Sequence, residues 1–270
     1  MQDKQKNIIL TITMLVSNRK DTIRKCMDSI KPILDQVPSE LIVVDTGSTD
    51  GSIDVVREYT NKIVAFTWCK DFSKARNAGL AGALGEWVMS LDDDEWFEDV
   101  SEIVTFFNSG EYKRYNRGVY VVRNYMDEDG HDWTDSNAAR MVKRFSNTCY
   151  TGKVHEFLGP MKEPAKFFNT YAHHYGYVYK SDEEHKKHIW RNLSLLEEEF
   201  MKAPEDMRVV TQLAQEYFLL KESHKVFEFC NRGLELYRRY HRYPANAGYC
   251  YNFSLRAYIQ MKNWEGAYEW

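Results

Sequence analysis

Long apolar runs are missing from this chain. No stretch of its 270 residues approaches the roughly 20 consecutive apolar positions of a membrane-crossing helix. The Lys-rich start leads only into a short strand-like segment, which does not read as a secretory signal. Paired cysteines are missing as well. Cys26, Cys69, Cys149, Cys230 and Cys250 are scattered, odd in number and never in a C-x-x-C pair. That pattern argues against a disulfide framework or a thiolate zinc site, and the chain is expected to be soluble and cytoplasmic with reduced thiols. Surplus positive charge is absent too: 36 basic against 40 acidic residues leave a net charge of -4, with no broad basic field for nucleic acid. Nothing before Asn18 supplies a Gly-rich phosphate loop, so a nucleotidyltransferase is disfavoured. What remains is a chain long enough to bury a sizeable core.

Against this background one stretch stands out. Trp87 to Leu91 is apolar and ends abruptly in Asp92-Asp93-Asp94-Glu95. A buried strand that leaves its sheet here delivers a dense negative cluster at its C-terminal edge. On an extended backbone, alternation predicts Asp92 and Asp94 on one side and Asp93 on the other. Two such carboxylates suit a hard divalent cation that also holds phosphate oxygens. The plainer alternative is a solvated turn.

Around this stretch the chain alternates strands and helices. Ile8–Val16 reads as a buried parallel strand, followed by the polar loop Ser17–Asp21. Ile23, Cys26, Met27 and Ile30 mark one face of a helix that Pro32 is expected to close. Leu41–Val44 is a second strand, running into the loop Asp45–Ser52 and a helix from about Ile53; Ile63–Phe66 is a third strand. Asp71 or Ser73 caps a helix running to about Ala83. Short loops between such elements predict a mostly parallel sheet flanked by helices. Ligands on these sheets bind at the strands' carboxyl ends, where Asn18, Asp45 and Asp92 all fall.

Beyond Phe97 the pattern changes. Gly118–Tyr125 and Ala139–Phe145 read as strands, with a turn signal at Asp127–Gly130. Tyr150–Glu156 and Thr170–Tyr177 continue an antiparallel half that completes the cleft. From Asp182 the chain reads as all-helical, with units opened by Pro204 and Pro244. Glu216–Lys221 overlays Ala257–Lys262, and Val226–Phe229 overlays Ala267–Trp270 at the same spacing. This points to a tetratricopeptide-like array, the alternative being an ordinary helical hairpin. The expected division is residues 1–181 as an α/β domain and 182–270 as a helical domain, cut from something longer because it ends in mid-repeat.

Together these segments resemble the family 2 glycosyltransferases, inverting nucleotide-sugar enzymes with the GT-A fold. The likeness rests on Val16-Ser17-Asn18, the Val44–Ser52 loop, Asp71–Asn77, and Leu91–Glu95 as a D-x-D motif. Val154-His155-Glu156 and His174–Tyr177, followed by helical repeats, are similar to a bacterial branch with a tetratricopeptide-like extension. That branch includes peptide S-glycosyltransferases that modify cysteine in glycocin bacteriocins. Arg19-Lys20 departs from relatives, which often carry an acidic residue after the Asn.

The resemblance implies metal-dependent transfer from a UDP-sugar, with some of the 18 tyrosines and 14 phenylalanines lining a sugar cleft and the rest packing the core. Asp45 would accept from the base or ribose, or else only shape its own turn. Arg76 would support base or phosphate, or lie on a helix surface. Val16, Asn18, Ser73, Asn77 and Asp93 complete the expected nucleotide site. Asp92 would face ribose or metal and Asp94 the metal, with Mn²⁺ or Mg²⁺ neutralising the leaving diphosphate. Glu156 is the expected base, and His155 an alternative base or third metal ligand. His174 would reach the diphosphate or metal, or simply pack. Arg140 and Arg144 would reach phosphate or solvate a strand. The expected acceptor is a peptide or protein side chain, Cys or Ser, presented by the helices, which alternatively mediate a homodimer. A cell-envelope saccharide or lipid-linked sugar is the other acceptor class, and a non-catalytic binding scaffold the other functional class.

Overall fold

The computed structural model describes residues 7–179 and 181–269; the Lys-rich start and Trp270 of the second repeat lie outside them. The chain divides into two compact units, Met1–Val178 and Tyr179–Trp270. In the first, the strands are β1 (Leu10–Val16), β2 (Ser39–Asp45), β3 (Ile63–Ala65), β4 (Trp87–Asp92), β5 (Glu95–Phe97), β6 (Arg117–Tyr125), β7 (Trp133–Lys143), β8 (Cys149–Thr151), β9 (Phe157–Gly159) and β10 (Ala165–His174). The helices are α1 (Lys20–Gln36), α2 (Ser52–Val56), α3 (Phe72–Leu80) and α4 (Ser101–Asn108). Eight strands form one sheet in the order β3-β2-β1-β4-β7-β6-β10-β5, and β8 pairs with β9 apart from it.

The amino-terminal half follows the expected pattern. β1 is buried on both faces, Leu10, Ile12, Met14 and Val16 on one and Thr11 and Thr13 on the other, as a central parallel strand must be. It runs parallel to β2 and β4, and the register sets Val16 beside Asp45 and Leu15 beside Asp92. Three carboxyl ends therefore meet at one edge of the sheet. Pro32 does not close α1, which continues to Gln36. Ile33 is fully buried on that last turn, and its packing outweighs the hydrogen bond Pro32 cannot donate. At the opposite end Gly85 is pressed against β1: a Cβ there would stand 2.5 Å from the Thr11 nitrogen.

The second half is mixed, not simply antiparallel. β7 is antiparallel to β4 and β6, while β10 is parallel to β6 and antiparallel to β5. α4, which follows β5, supplies Phe106 and Phe107, edge-on to Trp87 in the main core. Connectivity fixes the sheet's shape. β5 lies four strand positions from β4 in the sheet order, about 19 Å if the sheet were flat. Yet only Asp93 and Asp94 join them, a link that reaches about 11 Å at most. The sheet must curl until its last strand returns beside its middle one.

The second unit contains α5 (Asp182–Lys202), α6 (Met207–Leu219), α7 (Ser223–Tyr240), α8 (Pro244–Gln260) and α9 (Trp264–Glu269). Ser181 caps α5 and Asp206 caps α6. Pro244 opens α8 as expected, but Pro204 lies in the turn before α6. The repeat spacing appears in three dimensions: α6 and α8 end, and α7 and α9 begin, at equivalent positions. Lys221 and Lys262, at φ 62 and 57°, make the same left-handed corner. No helix among the described residues is long and apolar enough to cross a membrane.

Candidate active site

The loops after β1 and β2 are sewn to each other. Asn18, in the left-handed region at φ 53°, donates its backbone N–H to Ser48 Oγ (3.3 Å) and accepts at Oδ1 from the Thr49 N–H (2.8 Å). Arg19 N–H donates to Ser52 Oγ (2.7 Å) and Lys20 N–H to Asp50 Oδ2 (2.9 Å). The Asp50 carboxyl, receiving the Ser52 hydroxyl and the Lys20 and Ser52 N–H groups, is held down at about 2. Asp45 accepts from Gly47 and Ser48 N–H through Oδ1, and the Val16 carbonyl takes the Thr46 N–H and hydroxyl. Val16, Asn18 and Asp45 thus shape the strand-end rim. Ser73 and Asn77 are also engaged locally. Asp71 is the N-cap of α3, accepting from Lys74 N–H and from Ser73 Oγ, and Asn77 bridges α3 to β8 through both the N–H and the carbonyl of Tyr150.

The acidic stretch does not alternate as expected. β4 stops at Asp92, and Asp93-Asp94 form the tight turn into β5. Arg19 meets both turn acids, Nε 3.2 Å from Asp93 Oδ1 and Nη2 3.0 Å from Asp94 Oδ2. Asp93 Oδ2 also accepts from Ser17 N–H (3.2 Å). Burial pushes the Asp93 carboxyl up to about 7, Arg19 opposing. Asp93 and Asp94 therefore share a partner, and Asp92 stands apart.

Asp92 lies inside a chain of alternating carboxyls and guanidiniums. Arg76, buried and not on a helix surface, bonds Glu156 Oε1, Asp92 Oδ1 and, at 3.1 Å, Ser90 Oγ. Arg140 Nη1 then donates to Asp92 Oδ2 (2.8 Å) and Glu95 Oε2 (2.7 Å). The order is Glu156, Arg76, Asp92, Arg140, Glu95. Burial alone would raise Asp92, but the two guanidiniums hold it far below the usual carboxylate range. Burial wins at Glu95, pushed up to about 8, whose Oε1 has no hydrogen-bond partner among the described residues.

His174 faces the turn from β10. Asn124 donates its amide N–H₂ toward Val122 O, Thr134 O and Ser136 Oγ, so its Oδ1 faces His174 Nδ1 at 2.8 Å. That assignment makes Nδ1 the protonated nitrogen of neutral His174, the form burial favours. Nε2 then turns a lone pair toward Asp94 Oδ1, 3.6 Å away. A lone pair opposite a carboxylate is an arrangement that a cation completes. No group of three His, Cys, Asp or Glu side chains among the described residues forms a metal cage. The donor set therefore fits a cation held by one or two carboxylates with the rest of its shell from phosphate and water. His155 is exposed, at φ 49°, on the segment leading to Glu156. Arg144 lies outside the cluster, donating to the carbonyls of Leu84 and Gly85.

Three contributors carried little signal in sequence. Arg19 marks itself only as a cation where an acid is usual, Arg140 as a cation between Ala139 and Met141 in a strand, and Asn124 not at all.

The sequence model of glycosyl transferase family 2 matches residues 11–155, from β1 to the residue before Glu156. The chain belongs to glycosyl transferase family 2. The SPbeta prophage-derived glycosyltransferase SunS of Bacillus subtilis is 26% identical over 254 residues, 88% of this chain and 56% of SunS. This chain thus spans about half the length of the curated relative it matches. A tetratricopeptide repeat-containing protein of Synechococcus elongatus is 40% identical over 86 residues, 32% of this chain and 20% of that protein. Among solved structures, residues 1–349 of S. aureus TarS align at a TM-score of 0.50 with 13% identity, covering 96% of this chain and 89% of that one; a further TarS structure holds UDP. The curled mixed sheet with flanking helices and a following helical segment is the GT-A arrangement the family resemblance implies.

Proposed function

We propose that this chain is an inverting glycosyltransferase that takes its sugar from a UDP-sugar with help from Mn²⁺ or Mg²⁺. The observation that carries the reading is the Asp94–His174 pair, a carboxylate and an imidazole lone pair facing each other at the strand ends of a family 2 sheet. The UDP held by TarS supports the donor class. Asp94 keeps the metal role expected of it. Asp92 does not, because both its oxygens are committed to the guanidiniums of Arg76 and Arg140; Asp93 and His174 take the places expected of Asp92 and His155. A cation bound there supplies Lewis-acid neutralisation of the leaving diphosphate.

The chain's own residues do the rest. Asn124 holds His174 in one tautomer, and Arg76 and Arg140 hold Asp92 and the end of β4 rigid beneath the turn. Glu156 gives Oε1 to Arg76, so as a base it would receive the acceptor's proton at Oε2. A thiol acceptor lessens that demand, since its proton leaves more readily than that of an alcohol. The acceptor we favour is a Cys or Ser side chain of a peptide offered to the cleft in the cytoplasm, the stacked helix pairs giving a binding surface or a dimer contact.

The test is mass spectrometry of UDP-sugar turnover with Mn²⁺, with and without Cys and Ser peptides. Turnover of one UDP-sugar, lost on chelation and reduced about a hundredfold or more in Asp94→Asn, is the expected result. A mass increase on a Cys peptide identifies the acceptor class. Absence of both turnover and UDP binding would leave the binding scaffold in its place.

A further inference from the structure

Arg19 occupies the N-cap of α1, yet its side chain makes no capping bond. Caps are ordinarily Ser, Thr, Asn or Asp, and a cation at a helix N-terminus opposes the helix dipole. The residue is held by its backbone, through the Ser52 hydroxyl, while its guanidinium crosses to Asp93 and Asp94. That side chain is 46% exposed against 13% for each carboxylate. It lies over the two acids from the solvent side on a flexible stem, and its planar fork matches a phosphate as well as a carboxylate.

We propose that Arg19 is a built-in competitor for the divalent cation, an internal counterion that the acidic turn exchanges for metal when the donor arrives. The inference rests on the metal-dependent reading above. Arg19 holds the Asp94 carboxylate through Oδ2, and the cation would meet the same carboxylate at Oδ1; two cations on one carboxylate repel at close range, so metal entry drives Arg19 off. Alone, the cation must displace an existing ion pair and binds weakly. With a diphosphate present, the displaced Arg19 gains a new anionic partner, and cation and donor bind cooperatively. The turn is thereby partly neutralised in the resting protein, and the ordered site forms only with donor in place.

The experiment measures Mn²⁺ binding through the electron paramagnetic resonance signal of the free ion, for wild type and Arg19→Asn, with and without UDP. Asn removes the charge and is a favourable N-cap, so the variant retains its fold; circular dichroism checks this. Arg19→Asn is expected to bind Mn²⁺ alone about tenfold more tightly than wild type, with UDP raising its affinity about tenfold less. Arg19→Lys, a cation without the fork, is expected to keep weak Mn²⁺ binding alone and lose part of the UDP enhancement. Equal or weaker Mn²⁺ binding by Arg19→Asn overturns the competitor while the metal-dependent reading stands. No Mn²⁺ binding by wild type or variant, even with UDP, overturns both.

Discussion

Two groups of charges lie within a few residues of each other in this protein and are built in opposite ways. The row Glu156, Arg76, Asp92, Arg140, Glu95 is closed on itself, each cation between two acids and its members Arg76 and Glu95 buried. The group Arg19, Asp93, Asp94, His174 is covered from solvent only by a half-exposed cation, and its imidazole turns Nε2 toward a carboxylate. Breaking a pair of buried Arg76 or Glu95 strands a polar group away from water, whereas half-exposed Arg19 re-solvates at little cost. The first group is therefore architecture, and only the second is free to trade partners. Identical residue types two positions apart, Asp92 and Asp94, fall on different sides of that line.

The sharpest test of the distinction exchanges one residue from each group. Arg140→Met leaves fully buried Glu95 and one oxygen of Asp92 without their donor, and stability should fall by about 2 kcal/mol in urea unfolding. Asp94→Asn should change stability by less than about 0.5 kcal/mol while activity collapses. Similar losses of stability in both would erase the difference.

Asn124→Ala probes the outer group alone. Freed from Asn124, His174 loses its fixed tautomer, and Mn²⁺ affinity in the presence of UDP should drop about tenfold. Unchanged affinity would remove His174 from the cation's surroundings.

The smallest effect is expected far from both groups. Burial would raise the Glu40 carboxyl, but Lys62, the Thr11 hydroxyl and the Leu84 N–H together hold it below its usual 4.5. A depressed acid contributes stability that is present above its unfolded value and lost as pH falls through the folded one. Lys62→Gln should lower stability at pH 7 by about 0.5 kcal/mol and shrink the loss seen on acidification below pH 4.5. Transferase activity at neutral pH should not move. A pH–stability curve unchanged from wild type would show that the backbone and hydroxyl donors hold Glu40 without Lys62.

The parallel half of the fold was legible because each of its strands is a short apolar run cut off by a polar loop. Asn18, Asp45 and Asp92 were placed at one edge by that logic, and the register sets Val16, two residues before Asn18, beside Asp45 and Leu15 beside Asp92. The repeat in the helices was legible from residue types recurring at one spacing. α4 drew no reading, and the pairing of β10 with β6 is long-range, with nothing local to announce it. The acidic turn was misread for a physical reason. Alternation holds only while the backbone stays extended, and it ends at Asp92. The partners of Asp92 come from α3 and β7, and that of His174 from β6, contacts created by folding and absent from any local pattern.

A surface loop that carries chemistry is ordinarily free to lengthen, and the Asp127–Gly130 turn of this chain has that freedom. The turn made by Asp93 and Asp94 does not. It is also the buckle that fastens the last strand of the curled sheet back to the middle one, so an inserted residue would slacken β5 on β10 and carry Glu95 and His174 apart. If the turn binds the ligand as proposed, binding and sheet closure would be one mechanical event. Occupation of the turn should then slow amide exchange in Trp96 and His173, which face each other across β5 and β10.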